Sequence, residues 1–168
     1  PATRTLHAAR WPAHVSFVRL AEAGAMKIDV VSYLDMVFSD DPPEMKTPWH
    51  SRSYTNRYRI GGVKLNLDGS IQGKTGYLTQ PYKVPPPGAA TNYRGYETLP
   101  DAVVAAKVDK AYANGWQVLA HCNGDAAIDQ FISAVRDAVA KHGPADRRTV
   151  AIHAQTGNEP RPARHQLV

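Results

Sequence analysis

Two histidines and one lysine carry the chemistry this sequence can offer. His121 closes the run Val118-Leu-Ala-His-Cys, His153 closes Val150-Ala-Ile-His, and Lys64 lies in Gly62-Val-Lys-Leu-Asn-Leu-Asp-Gly-Ser70. Neutral imidazole is a common zinc ligand, and two rings aimed at one point can hold a divalent ion with a position open for water. Each residue also has a plainer reading: a lone histidine at a strand end is commonly a hydrogen-bonded structural group, and a lone lysine a salt-bridge partner. The matching placement of the two histidines at strand ends favours the ligand reading. α/β barrels collect their reactive side chains at the C-terminal ends of parallel strands. A lysine buried in such a mouth loses part of its basicity, and the neutral amine can take up carbon dioxide as a carbamate, a carboxylate-like bridging ligand.

The elements that would position these groups follow from hydrophobic spacing. Residues 59–68 alternate, with Val63, Leu65 and Leu67 on one face and Lys64, Asn66 and Asp68 on the other. Residues 117–121 and 148–153 read as further strands. In them Val118 and Ala120 oppose Leu119 and His121, and Val150 and Ile152 oppose Ala151 and His153. If the valines and Ile152 pack on outer helices, both imidazoles and Lys64 point into one interior.

Between these strands, Thr98-Leu-Pro-Asp101 predicts a helix start with Thr98 as N-cap, a stripe of Val104, Val108, Ala111 and Tyr112, and a stop at Asn114-Gly115. A second helix is expected from Asp125, striped by Ile128, Ile132, Val135 and Val139 and closed by Gly143-Pro144. Upstream, residues 15–23 read as a helix (Val15, Val18, Leu20, Ala23) ending at Gly24, residues 27–33 as a buried strand, and residues 44–57 as irregular. The order is the grammar of a parallel sheet with right-handed crossovers. Residues 70–97, with Pro85-Pro-Pro-Gly88 and several other glycines, form a long loop that leaves the Lys64 strand and is expected over the mouth.

Four neighbouring features need weighing. Asp68 is expected to brace the Gly69-Ser70 turn, and Asp125 to cap its helix. Cys122, the only cysteine, follows His121 on a strand and so faces the other side; a small buried thiol suits it better than a nucleophile. Gly69-Ser-Ile-Gln-Gly-Lys-Thr75 approaches the phosphate-loop pattern but is one residue short, and it runs into Gly76 and Pro81 instead of opening a helix.

Composition narrows the class. No apolar run approaches the roughly 20 residues needed to span a bilayer, so no membrane partner is expected and the cytoplasm is the default compartment. The net charge is +5, yet lysines and arginines are scattered and only Arg147-Arg148 are adjacent, which argues against nucleic acid. A single cysteine excludes an intrachain disulfide framework. At 168 residues the chain fits one domain but is short for an eight-stranded α/β barrel of about 250. It opens on Pro1 with no signal-like segment, so a processed chain and a fragment are both open.

The segments Gly62 to Ser70, Val118 to Asp125 and Ile152 to Gln155, with the loop Gly76-Tyr-Leu-Thr-Gln-Pro-Tyr82, closely resemble amidohydrolase family 3, the YtcJ-like metal-dependent hydrolases. The resemblance runs from about Ile28 to Gln155. It implies an α/β fold of the (β/α)8 TIM-barrel type, present here as a partial barrel over residues 1–155 with a Pro- and Arg-rich tail over 156–168. It further implies one or two divalent ions, zinc first, with His121 and His153 as ligands and Lys64 as the bridging, carboxylated lysine. The implied reaction is hydrolysis of an amide-type C–N bond in a small-molecule substrate, in a chain that can form homo-oligomers. Two family features are missing: there is no His-x-His pair, and no Asp follows Asp146 to serve as proton shuttle. No catalytic residue is therefore assigned. The competing reading is a catalytically incomplete fragment or interaction domain that keeps the fold.

Overall fold

A computed structural model describes residues 3–9 and 11–157, with side chains from His14 onward; the expected tail lies outside the described residues from position 158. The element order is β1 (Thr3–Ala9), α1 (Trp11–Glu22), β2 (Asp29–Asp35), a 3-10 turn (Pro43–Lys46), β3 (Tyr58–Asn66), α2 (Asp101–Ala113), β4 (Gln117–Cys122), α3 (Asp125–His142) and β5 (Val150–His153). The five strands form one sheet in sequential order, every neighbouring pair parallel. This is the α/β architecture expected, and consistent with part of a barrel. β1 adds a strand beyond those read from the sequence.

The two faces of the sheet bury different things. Val63, Leu65, Leu67, Val118, Ala120 and Cys122 meet Val104, Val108 and Ala111 of α2 and Ala127, Phe131, Ala134 and Val135 of α3 in one large core. On the inner face a smaller cluster joins Val31, Tyr33 and Leu119, with Ile152 packed against it. Ile152 therefore lies on the side opposite to the one expected of it. In the β4–β5 register it stands beside His121, whereas His153 stands beside Cys122.

Helix stripes follow the need for close approach. α3 buries Ala127, Gln130, Phe131, Ala134, Val135 and Ala138, so only Val135 of the four predicted stripe residues is fully inside; Ile128 and Val139 flank the contact. Small alanines let α3 come close to α2 and the sheet, and the larger side chains close the margins. In α1 the buried positions are His14 and Ala21, with Phe17 and Val18 partly covered, while Leu20 is exposed. Phe17 stacks on fully buried Tyr58 at 5.7 Å between ring centroids. The start of α2 is also corrected. Thr98 donates its backbone N–H to Leu67 O at 2.8 Å, which holds it on the sheet, and Pro100 is the N-cap, without a side-chain cap.

Gly61 and Gly62 mark a slip in the β2–β3 register, where Ser32 pairs with Ile60 but Tyr33 with Gly62. A Cβ on Gly61 would lie 2.8 Å from the Tyr33 ring, and one on Gly62 2.2 Å from Gln117 O. The pair lets the Tyr33 side chain cross the sheet and donate its hydroxyl to Gln117 Oε1 at 2.9 Å. No helix among the described residues is long and apolar enough to cross a membrane.

Candidate active site

Lys64, His121 and His153 come from three neighbouring parallel strands, toward their C-terminal ends. The two imidazoles meet edge to face, 4.7 Å between centroids. Strand alternation alone would have parted them. They meet because residue 153 leaves the strand in the left-handed region, φ 72°, followed by Ala154 at φ 45°. That conformation is unfavourable for a residue with a Cβ. Hydrogen bonds from Ala154 N to Cys122 O (3.1 Å) and from Thr156 N to Asn123 O (3.0 Å) hold the turn against the end of β4.

His121 is anchored through one nitrogen. Its Nε2 lies 3.0 Å from Gly69 O and 3.5 Å from Asp68 Oδ1. These two neighbours accept and favour a proton on Nε2, whereas the Asn123 amide nitrogen 3.1 Å away donates and favours the opposite tautomer, so the contacts together fix where the ring sits. Asn123 Nδ2 donates to the same Gly69 O at 2.8 Å and lies 3.1 Å from Nε2, closing the triangle. An oriented imidazole of this kind is how proteins hold a metal-binding histidine.

The other two groups are tuned by their surroundings. Lys64 is buried, 5% exposed, and its Nζ donates to Leu65 O at 2.9 Å. Burial lowers its pKa to about 8, against the opposing pull of Cys122 and Asp35. Partial desolvation, then the charges of His121 and Lys64, hold the His153 pKa below the ordinary imidazole value. Both shifts favour nitrogen with a free lone pair.

Asp68 does more than brace a turn. Its carboxylate is 0% exposed and accepts three backbone N–H groups, from Asn123 (2.9 Å), Gly124 (2.7 Å) and Tyr77 (3.0 Å). Gly124 is the N-cap of α3, so Asp68 joins the end of β3 to the positive end of that helix and to the first part of the long loop. Asp125 serves the same junction from the first turn of α3: it accepts from Ala126 N, from Thr79 N at 2.9 Å and from the Thr79 hydroxyl. The loop is thereby docked on the β4–α3 turn. Asn123, read from sequence only as part of a turn, is a positioning residue. An amide side chain two residues after a strand-end histidine is the signal that points to it.

Two weaker sequence readings are settled by geometry. The segment 69–75 closes on itself, with Thr75 N to Ser70 O at 3.0 Å, Gly69 N to Thr75 O at 3.1 Å and the amides of Ser70, Gly73 and Lys74 also bonded within it, and no helix follows. Cys122 is fully buried on the helix-covered face, where desolvation pushes its pKa up to about 12. Such a thiol is no nucleophile.

Among the described residues, no three His, Cys, Asp or Glu side chains are grouped to hold a metal. The two imidazoles stand close enough to face one ion, and no further donor of these types is grouped with them among the described residues.

The model of a family described as the amidohydrolase family matches residues 12–166. The putative amidohydrolase YtcJ of Bacillus subtilis (strain 168) is 33% identical over 96 residues, covering 57% of this chain and 17% of that protein. The structure of an uncharacterized metal-dependent hydrolase from Pyrococcus horikoshii OT3 superposes with a TM-score of 0.65 at 25% identity, covering 79% of this chain and 26% of that one. A second, from Pyrococcus furiosus, gives 0.65 at 24% identity over 80% of this chain and 27% of its own. The chain thus spans about a quarter or less of each relative's length.

Proposed function

Since this chain belongs to the amidohydrolase family, we propose that it contributes the Lys64–His121–His153 part of a metal-dependent site that hydrolyses an amide-type C–N bond in a small molecule. The observation that carries this reading is the 4.7 Å contact of two imidazoles brought together from the ends of adjacent parallel strands by a left-handed turn. Strained backbone at a strand end is retained where a side chain must be aimed.

A divalent ion, zinc in this reading, would be held by His121, His153 and Lys64, the lysine as its carbamate, and when bound it would acidify water and polarise the substrate carbonyl. The chain's own residues have separate tasks. Gly69 O and Asn123 keep the His121 ring oriented through its Nε2. Burial keeps part of Lys64 as the free amine that carbamate formation needs. Asp68 takes no part as a general base, because both its oxygens are committed to backbone N–H groups.

That commitment supports a second statement. A catalytic zinc generally uses three protein ligands plus water, and proton transfer needs a further group. The three ligands named here would serve one ion, but no residue is assigned to the proton transfer, so the 168-residue chain is expected to turn over amides at close to the background rate. Metal analysis of the purified chain after zinc loading tests the reading: retention of zinc that is lost in His121→Ala and in His153→Ala supports it. Retention unchanged in both variants would sink it. A panel of N-acyl amides assayed with zinc added tests the second statement, and turnover abolished by His121→Ala would show that the site is complete after all.

A further inference from the structure

At the opposite end of the sheet from the histidines, the N-terminal ends of β3 and β4 and the segment leading into β5 enclose a cavity of about 270 Å³. Arg52, Arg59, Arg147 and Arg148 line it together with His50, and Asp146 is the one carboxylate in its wall. We propose that this cavity binds a phosphate group, either as inorganic phosphate or as a small phosphate monoester.

Charge is the first argument. Asp146 is already engaged by Arg148, whose Nε lies 3.2 Å from both carboxylate oxygens and whose Nη2 lies 3.2 Å from one of them. The other three guanidinium groups turn to backbone carbonyls, Arg59 to Ser51 O (3.1 Å), Arg147 to Gly143 O (2.9 Å) and Arg52 to Asp146 O (3.5 Å), and Arg59 also bonds the Tyr33 hydroxyl. Guanidinium groups gathered from three separate segments repel one another, and a bound dianion would remove that repulsion.

Unused donors are the second argument. The Nε–H of Arg59 and the Nε–H of Arg147 are both buried without an acceptor in the protein. Buried donors of this kind are rare and call for an explanation. Both belong to arginines that lie over aromatic rings: Arg59 over the Tyr54 ring at 5.2 Å and Arg147 over the Tyr112 ring at 4.6 Å. Planar forks held in place before the ligand arrives match the geometry of phosphate oxygens, which they bind in pairs.

Size completes the assignment. A cavity of 270 Å³ has room for a phosphate group with a few carbon atoms, and the wall is a pocket, not a stripe that could follow a nucleic-acid backbone. The competing explanation is that the arginines only tie loops together by their carbonyl bonds. It predicts no ligand and no gain from losing Asp146.

Isothermal titration calorimetry with inorganic phosphate and, separately, glycerol phosphate, at neutral pH and constant ionic strength, tests the proposal on the 168-residue chain. One saturable site is expected. Amide NMR shifts should centre on residues 50–52, 59–61, 115–117 and 146–148, away from 121–124 and 153. Arg52→Gln, an exposed side chain whose loss spares the fold, should weaken binding about fivefold or more, and Arg147→Gln by a larger factor. Asp146→Asn should tighten binding about threefold, since it removes the opposing charge and releases Arg148. Tighter binding of the monoester names an ester as the ligand, and binding of inorganic phosphate alone names the free anion. No saturable heat at tens of millimolar phosphate, equal affinity in wild type and Arg52→Gln, or shifts centred on the histidines would each overturn the proposal.

Discussion

His153 pairs with Cys122 in the sheet register, on the face turned away from His121, yet its ring lies 4.7 Å from the His121 ring. The backbone at residue 153, at φ 72°, redirects the side chain across the end of the sheet. The convergence on which the functional reading depends is thus a property of a turn, and β5 contributes the position from which that turn starts.

If the turn aims His153 at a shared ion, zinc affinity should depend on both rings and on what orients them. Asn123→Ala leaves both histidines present but removes the amide that shares Gly69 O with His121. Loss of a partner that orients a metal-binding histidine typically costs about 10–100-fold in affinity. The expected order of zinc affinity is wild type, then Asn123→Ala, then His121→Ala and His153→Ala, measured by competition with a chromogenic chelator. An Asn123→Ala affinity equal to wild type would remove Asn123 from its positioning role.

Asp68→Asn should destabilise the fold through the α3 junction. The substitution replaces a carboxylate that accepts three backbone N–H groups by an amide that can offer only one oxygen. Hydrogen bonds to a charged group are worth about 1.5–3 kcal/mol each, so a loss of about 3 kcal/mol is expected in urea unfolding. Hydrogen exchange should speed up at Tyr77, Asn123 and Gly124 first. Uniformly faster exchange, with no local excess at those three amides, would refute the local account.

How far such relationships can be read from sequence depends on their range. The alternation of Val63, Leu65 and Leu67 against Lys64 and Asn66 is a local pattern, and the core confirms its apolar face. The same rule applied to Val150–His153 put Ile152 on the wrong side, because a four-residue strand takes its register from β4, and that pairing is not written in its own residues. The left-handed turn at His153 and Ala154 has no glycine to announce it. Asp68 was visible as a polar residue at the end of the 59–68 strand, but two of its three partners lie 55 and 56 positions away and meet it only once the parallel sheet has formed.

Acid should weaken the fold through His14. This side chain is buried against Tyr58, with Nδ1 2.9 Å from the tyrosine hydroxyl, and desolvation lowers its pKa despite the nearby Glu44. A histidine whose folded pKa is depressed binds its proton more readily in the unfolded chain. Its contribution is therefore intact above the unfolded value near 6.5 and is lost as pH falls through the lower folded value. His50, also lowered chiefly by burial, adds to the same slope. The urea midpoint should drop between neutral pH and pH values below the ordinary histidine range, and His14→Gln should flatten the drop. A midpoint that stays level in wild type across that range would contradict this assignment.

Cys122 separates burial from chemistry at a position next to a proposed ligand. The thiol is fully buried with the apolar residues under α2 and α3 and accordingly stays protonated, its pKa pushed up to about 12. Iodoacetamide should leave it unmodified in the folded chain and label it in urea. Cys122→Ser puts a hydroxyl among Val63, Leu65 and Ala120 and should cost about 1–3 kcal/mol, whereas Cys122→Ala leaves only a small cavity and should cost less. Zinc affinity should be the same in wild type and Cys122→Ala, because the side chain points away from His121. A large loss of zinc in Cys122→Ala, with the unfolding midpoint unchanged, would place the sulfur in the metal's donor set and reverse the assignment of the two faces at the end of β4.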